Sequence, residues 1–218
     1  MVADLYSLIQ NLIILLSLIF ALVNLKKILG NRYLQLFPIY TLVSLIVDVT
    51  YYFDKPFGNL EINLFVIFEF IIFYRFYWLV LADNKNRKIL KILFFVYIIL
   101  LLIMVFMYHD RYKLNLLKLL EKRTFFEMMA MDNILLVLPV ILYYKSLFLL
   151  PIKKLNNNSI FLVMTGILFG FSIMIPIDAT FLLIKSYNKE LFLYMYVLNA
   201  LGYILIHLFI IKAYLSLK

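Results

Sequence analysis

The chain has 218 residues, of which 66% are hydrophobic and 15% charged, against about 45–50% apolar and about 25% charged in a soluble domain. A soluble chain of this size has too little interior to hide so much apolar surface, because surface shrinks too slowly with mass, so lipid must replace water around it. The absence of cysteine excludes disulfides, thiolate metal sites and cysteine nucleophiles, and the net charge of +9, with no polar domain to carry a basic stripe, reads as membrane anchoring and excludes nucleic-acid binding.

A membrane span needs roughly 20 mostly apolar residues. The first such stretch, 5–25, carries Gln10 and Asn11. It reads as a span and not a cleaved leader: no basic residue precedes it, and it runs into Asn24-Leu25-Lys26-Lys27 without a small-residue cleavage site. The second, 34–53, holds Asp48 and ends in the turn-rich Asp54-Lys55-Pro56-Phe57-Gly58-Asn59. The third, 62–82, holds Glu69 and Arg75. Its aromatic run Phe73-Tyr74-Arg75-Phe76-Tyr77-Trp78 leaves two roles for the arginine. It snorkels at an interfacial belt, or it pairs with a carboxylate from another helix.

A basic loop, Asp83 to Lys88, leads to the fourth stretch, 89–108. Residues 109–123 mix leucines with Lys113, Lys118, Lys122 and Arg123, the pattern of a short amphipathic helix at the interface or an extension of the fifth span. The fifth stretch, 124–144, carries Glu127, Asp132, Asn133 and Pro139. The sixth, 159–184, carries Gly166 and Gly170 at the spacing of a close helix contact, within the chain or in a homodimer. It also places Pro176, a kink and candidate hinge, two residues before Asp178. The seventh, 190–214, carries Asn199 and His207.

The expected fold is therefore all-α: one domain over 1–218, a polytopic transmembrane bundle of about seven spans. Twelve Lys and Arg fall on the side of loops one, three and five, against eight on the other. The positive-inside rule then places the N-terminus outside and the C-terminus in the cytoplasm.

Ionisable groups inside a span are costly, so they usually face the bundle interior and act there. Counted from the outer end at about 1.5 Å per residue, Asp48, Glu69, Glu127, Asp132 and Asp178 fall in one layer, with Gln10, Asn11 and Asn133 beside them. Arg75 and His207 come out deeper, and the fourth span adds no acid. A layer of acids at one depth points to an outward-facing acidic cavity. Carboxylates suit Ca²⁺, Mg²⁺ or Mn²⁺, but no metal-ligand spacing is present, so the metal is left unknown and no cofactor is predicted. An organic cation or protons are the other occupants that this chemistry suits. Lys212 lies too near the end of the last span for a retinal linkage, and two histidines are too few for a zinc hydrolase.

Three further features go together. An aromatic helix, the basic loop Asn84-Lys85-Asn86-Arg87-Lys88 and an Ile/Leu helix span Phe65 to Met104. Asn156-Asn157-Asn158-Ser159 leads into a glycine-containing helix, and Val197-Leu198-Asn199-Ala200-Leu201-Gly202-Tyr203 sits in the last span. In these the chain resembles a group of small seven-helix inner-membrane proteins of Bacteroidetes-type bacteria. Many genes of that group lie beside sensor histidine kinases. The resemblance thus implies a signalling or accessory role and a histidine kinase, or another membrane or cytoplasmic protein, as partner. It supplies no catalytic motif. The leading expectation is a non-enzymatic sensory or accessory module in contact with membrane lipids. The alternatives are a small transporter or channel subunit that uses the acids as a cation or proton site, and a lipid-modifying membrane enzyme.

Overall fold

The computed structural model describes residues 2–53, 58–112, 126–148, 158–187 and 189–217. In chain order the helices are α1 (Val2–Val23), α2 (Leu25–Leu29), α3 (Phe37–Phe53), α4 (Gly58–Val80), α5 (Asn84–Tyr112), α6 (Phe126–Leu147), α7 (Ser159–Tyr187) and α8 (Lys189–Leu215). Among the described residues there is no strand. In hydrocarbon a backbone satisfies its own polar groups only as a helix or a closed barrel, and the apolar runs here take the first route.

Six helices, α1 and α4 to α8, are long and apolar enough to cross a bilayer. The second expected stretch differs. Only Phe37–Phe53 of 34–53 is helical, 17 residues or about 26 Å, because 31–36 is spent in turns whose backbone bonds run three residues back.

Helix starts follow local chemistry. The basic segment 84–88 was expected as a loop, yet it is the first turn of α5. Asp83 caps it by accepting the Asn86 backbone N–H at 2.8 Å and the Asn86 side-chain amide. The cations there settle on Trp78, with the Arg87 guanidinium 5.1 Å and the Lys91 ammonium 5.9 Å from its ring. Asn158 caps α7, its Oδ1 accepting from Ile160 N at 3.0 Å. Of the amphipathic stretch expected at 109–123, residues 109–112 continue α5, and 113–123 lie outside the described residues.

Packing closes six helices into a ring, in the order α1–α3–α4–α6–α7–α8 and back to α1. Helix α5 stands outside it, against α4 and α6, and presents Phe95, Ile99, Phe106 and Met107 outward. The tightest seam is α7 on α8. A Cβ on Gly166 would come within 2.6 Å of Phe209 Cβ, and one on Gly202 within 2.9 Å of the Gly170 carbonyl oxygen. The two helices approach this closely because three glycines remove the side chains that would hold them apart. The Gly166/Gly170 face is thus covered by α8 of the same chain.

One half of the ring is filled by aromatic rings meeting edge to face. Phe37 packs on Phe76 at 5.1 Å and 76°, and Phe73 on Phe171 at 5.4 Å and 86°. All four are fully buried. In α6, Pro139 cannot donate to the Leu135 carbonyl. The Tyr77 hydroxyl donates to the next carbonyl, Leu136 O, at 2.7 Å, tying α4 to this weakened turn.

Candidate functional site

The other half of the ring holds a cavity of about 250 Å³. Every ring helix contributes to its wall: Gln10 from α1, Ser44 and Asp48 from α3, Phe65 from α4, Met129 from α6, Asp178 from α7, and Asn199 and Tyr203 from α8. None of the described lining residues comes from α5. The lining residues lie toward the ends where α1, α4, α6 and α8 begin and α3 and α7 finish.

The two carboxylates on the wall are held by neutral donors from neighbouring helices. Gln10 Nε2 donates to Asp48 Oδ2 at 2.6 Å. Asp178 accepts twice, from Asn133 Nδ2 on Oδ2 at 2.7 Å and from Asn199 Nδ2 on Oδ1 at 3.0 Å. Asp178 is therefore a three-helix junction of α6, α7 and α8. It sits two residues beyond Pro176, where α7 continues as helix and the Thr180 hydroxyl donates to Pro176 O at 2.6 Å.

A second polar tier lies one turn further in, about 5 Å by helix geometry. Tyr40 is four residues from Ser44, Glu69 three from Val66, Asp132 three from Met129, and His207 four from Tyr203. The Tyr40 hydroxyl donates to Glu69 Oε1 at 2.8 Å. Asp132 and His207 are buried, and among the described residues Asp132 Oδ1 and both His207 nitrogens have no hydrogen-bond partner. Glu69, Asp132 and Asp178 lie within electrostatic range of one another, and Tyr203 lies within range of these three and Asp48. None of the four acids is paired with a basic side chain among the described residues.

The remaining candidates lie elsewhere. Glu127 accepts from the Tyr108 hydroxyl at 2.8 Å, on the side of α6 that meets α5. Asn11 is half-buried, with Oδ1 unpartnered, and does not line the cavity. Arg75 is exposed on the outer face of α4, in register with Ile71 and Leu64, so it neutralises no buried acid. Among the described residues no three His, Cys, Asp or Glu side chains lie close enough to hold a metal ion.

Among the residues of the site that the sequence reading does not single out are Tyr40, Ser44 and Tyr203. A signal existed. Tyr40, Ser44 and Asp48 recur every fourth residue along α3, as do Asn199, Tyr203 and His207 along α8, so each set is one polar stripe on a helix face.

No protein family, curated protein or solved structure matches this chain. The fold and the composition decide its class. This is a helical membrane protein.

Proposed function

We propose that this chain is a multi-pass sensory or accessory module of a bacterial inner membrane, non-enzymatic, and acting through a partner protein. Helix α3 crosses with the other six as a seventh span, the N-terminus lies outside, and the cavity opens outward. One observation carries the reading: the cavity wall is drawn from all six ring helices, and the axis beneath it is filled by aromatic side chains. An occupant would therefore bias the packing of the whole ring without passing through it. Away from the cavity, α2 carries Lys26 and Lys27, the start of α5 Arg87 and the end of α8 Lys212, a basic surface suited to an acidic partner and to anionic lipid.

The test is co-purification of the tagged full chain in mild detergent, with mass spectrometry against a membrane protein of similar abundance. Selective enrichment of a signalling protein is expected, and no enrichment above the control would overturn the coupling. Reporter fusions at 82–83 and at 54–57 check the orientation, the first expected cytoplasmic.

A cation or proton carrier is the second reading. Glu69 and Asp132, one turn inward of the cavity, favour it, since intramembrane acids commonly mark ion routes. It requires the Phe37, Phe73, Phe76 and Phe171 layer to part. Proton-coupled flux in proteoliposomes that disappears with Asp178→Asn would select it.

A further inference from the structure

We infer that the cavity binds an organic ammonium ion with a short apolar or aromatic body, held by Asp48 and Ser44. The inference rests on the cavity being the ligand site proposed above, and it adds what the ligand is.

Charge comes first. Asp48 and Asp178 stand on the wall of a cavity with no Lys, Arg or His among its described lining residues. A carboxylate away from water needs a cation or a proton. Gln10 occupies one oxygen of Asp48, Oδ2. Asp178 already accepts from two amides. Asp48 is thus the carboxylate with an oxygen to spare, and Asp178 adds negative charge nearby.

Ser44 supplies an independent observation. It is one turn inward of Asp48, only 3% exposed, and it lines the cavity. Three other hydroxyls in these helices donate back to their own backbone, Thr50 to Ile46 O, Thr165 to Phe161 O and Thr180 to Pro176 O, whereas the buried hydroxyls of Ser17 and Thr41, which do not line the cavity, find no partner among the described residues. The Ser44 hydroxyl has no hydrogen-bond partner among the described residues. A polar group so buried normally has one, and here its open side is the cavity.

The rest of the wall selects among cations. A calcium ion takes six to eight oxygens and magnesium close to six, and among the described residues no three acid or histidine side chains converge. Phe65, Phe181, Tyr196 and Tyr203 instead give aromatic surface, which attracts organic cations and buries an apolar body. The volume lies below the roughly 300–1,000 Å³ of sites for drug-sized molecules, so the body is short.

The experiment is calorimetric titration of the full chain in lipid nanodiscs with phenethylammonium, with 2-phenylethanol as its uncharged counterpart, and with Ca²⁺. Phenethylammonium should bind at least about tenfold more tightly than the alcohol, a difference of one charge-assisted contact. Asp48→Asn should remove that advantage while leaving the alcohol unchanged. Ser44→Ala, which keeps the helix and the carboxylates, should weaken the ammonium about threefold. Equal binding of the two probes overturns the inference, as does ammonium binding indifferent to both substitutions, no ammonium binding, or displacement by Ca²⁺. If no amine binds while a partner still co-purifies, the ligand class fails and the sensory reading stands. Amine binding lost with Asp48→Asn, but without any partner, has the opposite meaning.

Discussion

The His207 imidazole lies nearly parallel to the Tyr40 ring, 10° apart with centroids at 5.5 Å, and among the described residues neither of its nitrogens meets a hydrogen-bond partner. The stack uses the ring face and gains nothing from the nitrogens, whose burial costs about 1–3 kcal/mol each when unsatisfied. His207→Phe should therefore be neutral or stabilising in thermal unfolding of the detergent-solubilised protein. His207→Ala should lower the midpoint, because it opens a hole beside Tyr40. A midpoint for His207→Phe well below that of the unaltered protein would show that the nitrogens are needed.

Asp178 joins α6 and α8 through two separate amides. Interhelical hydrogen bonds in membranes average about 0.6 kcal/mol, with a maximum near 1.7. Double-mutant cycles of Asp178→Asn with Asn133→Leu and with Asn199→Leu should each return a coupling of about 0.5–1.5 kcal/mol. Unfolding in mixed micelles measures it, and a coupling near zero in both cycles would remove the junction as a structural element.

The Tyr77 hydroxyl supports the α6 turn that Pro139 weakens. Tyr77→Phe should cost about 1 kcal/mol. Pro139→Ala restores the helix's own donor, so the same Tyr77→Phe change should cost less in that background. An equal cost in both would mean that the bond is independent of the proline.

Gly170 leaves no room for a larger residue. Its Cβ would meet Ile206 Cγ1 and would stand 2.7 Å from the Gly202 carbonyl oxygen. A backbone oxygen cannot swing aside as a side chain can, so Gly170→Val should part α7 from α8. The expected loss is at least about 1–3 kcal/mol, the usual cost of overpacking, with reduced recovery of monodisperse protein. Gly30→Ala meets nothing closer than 3.5 Å and should change neither measure.

How much of this is legible without coordinates depends on the kind of fact. The helices and their apolar lengths follow from composition, because hydrocarbon leaves a chain like this no other backbone solution. The common depth of Asp48 and Asp178 follows from counting along alternating spans, and both stand on one wall. Rotation about each helix axis does not follow from depth. Glu127 and Asp48 were placed in the same layer, yet Glu127 turns toward Tyr108 and α5 while Asp48 turns inward. Acids alone also hid their partners: Tyr40, Ser44 and Tyr203 are uncharged, and only their spacing from Asp48, Asn199 and His207 marks them. The charge of segment 84–88 suggests a loop, whereas Asp83, by its own chemistry, marks a helix start.

The ring closes where α8 meets α1, and part of the cavity wall, Asn199 and Tyr203 included, stands on α8. Of the six ring helices, that one leaves the ribosome last. Until it inserts, Asp178 lacks one of its two amides, and the groove between α1 and α7 lies open to lipid. On the reading proposed above, ligand recognition is a property that the nascent chain acquires in a single late step. A translation product halted before residue 189 should be inserted in the membrane yet fail to bind the phenethylammonium probe proposed for the full chain.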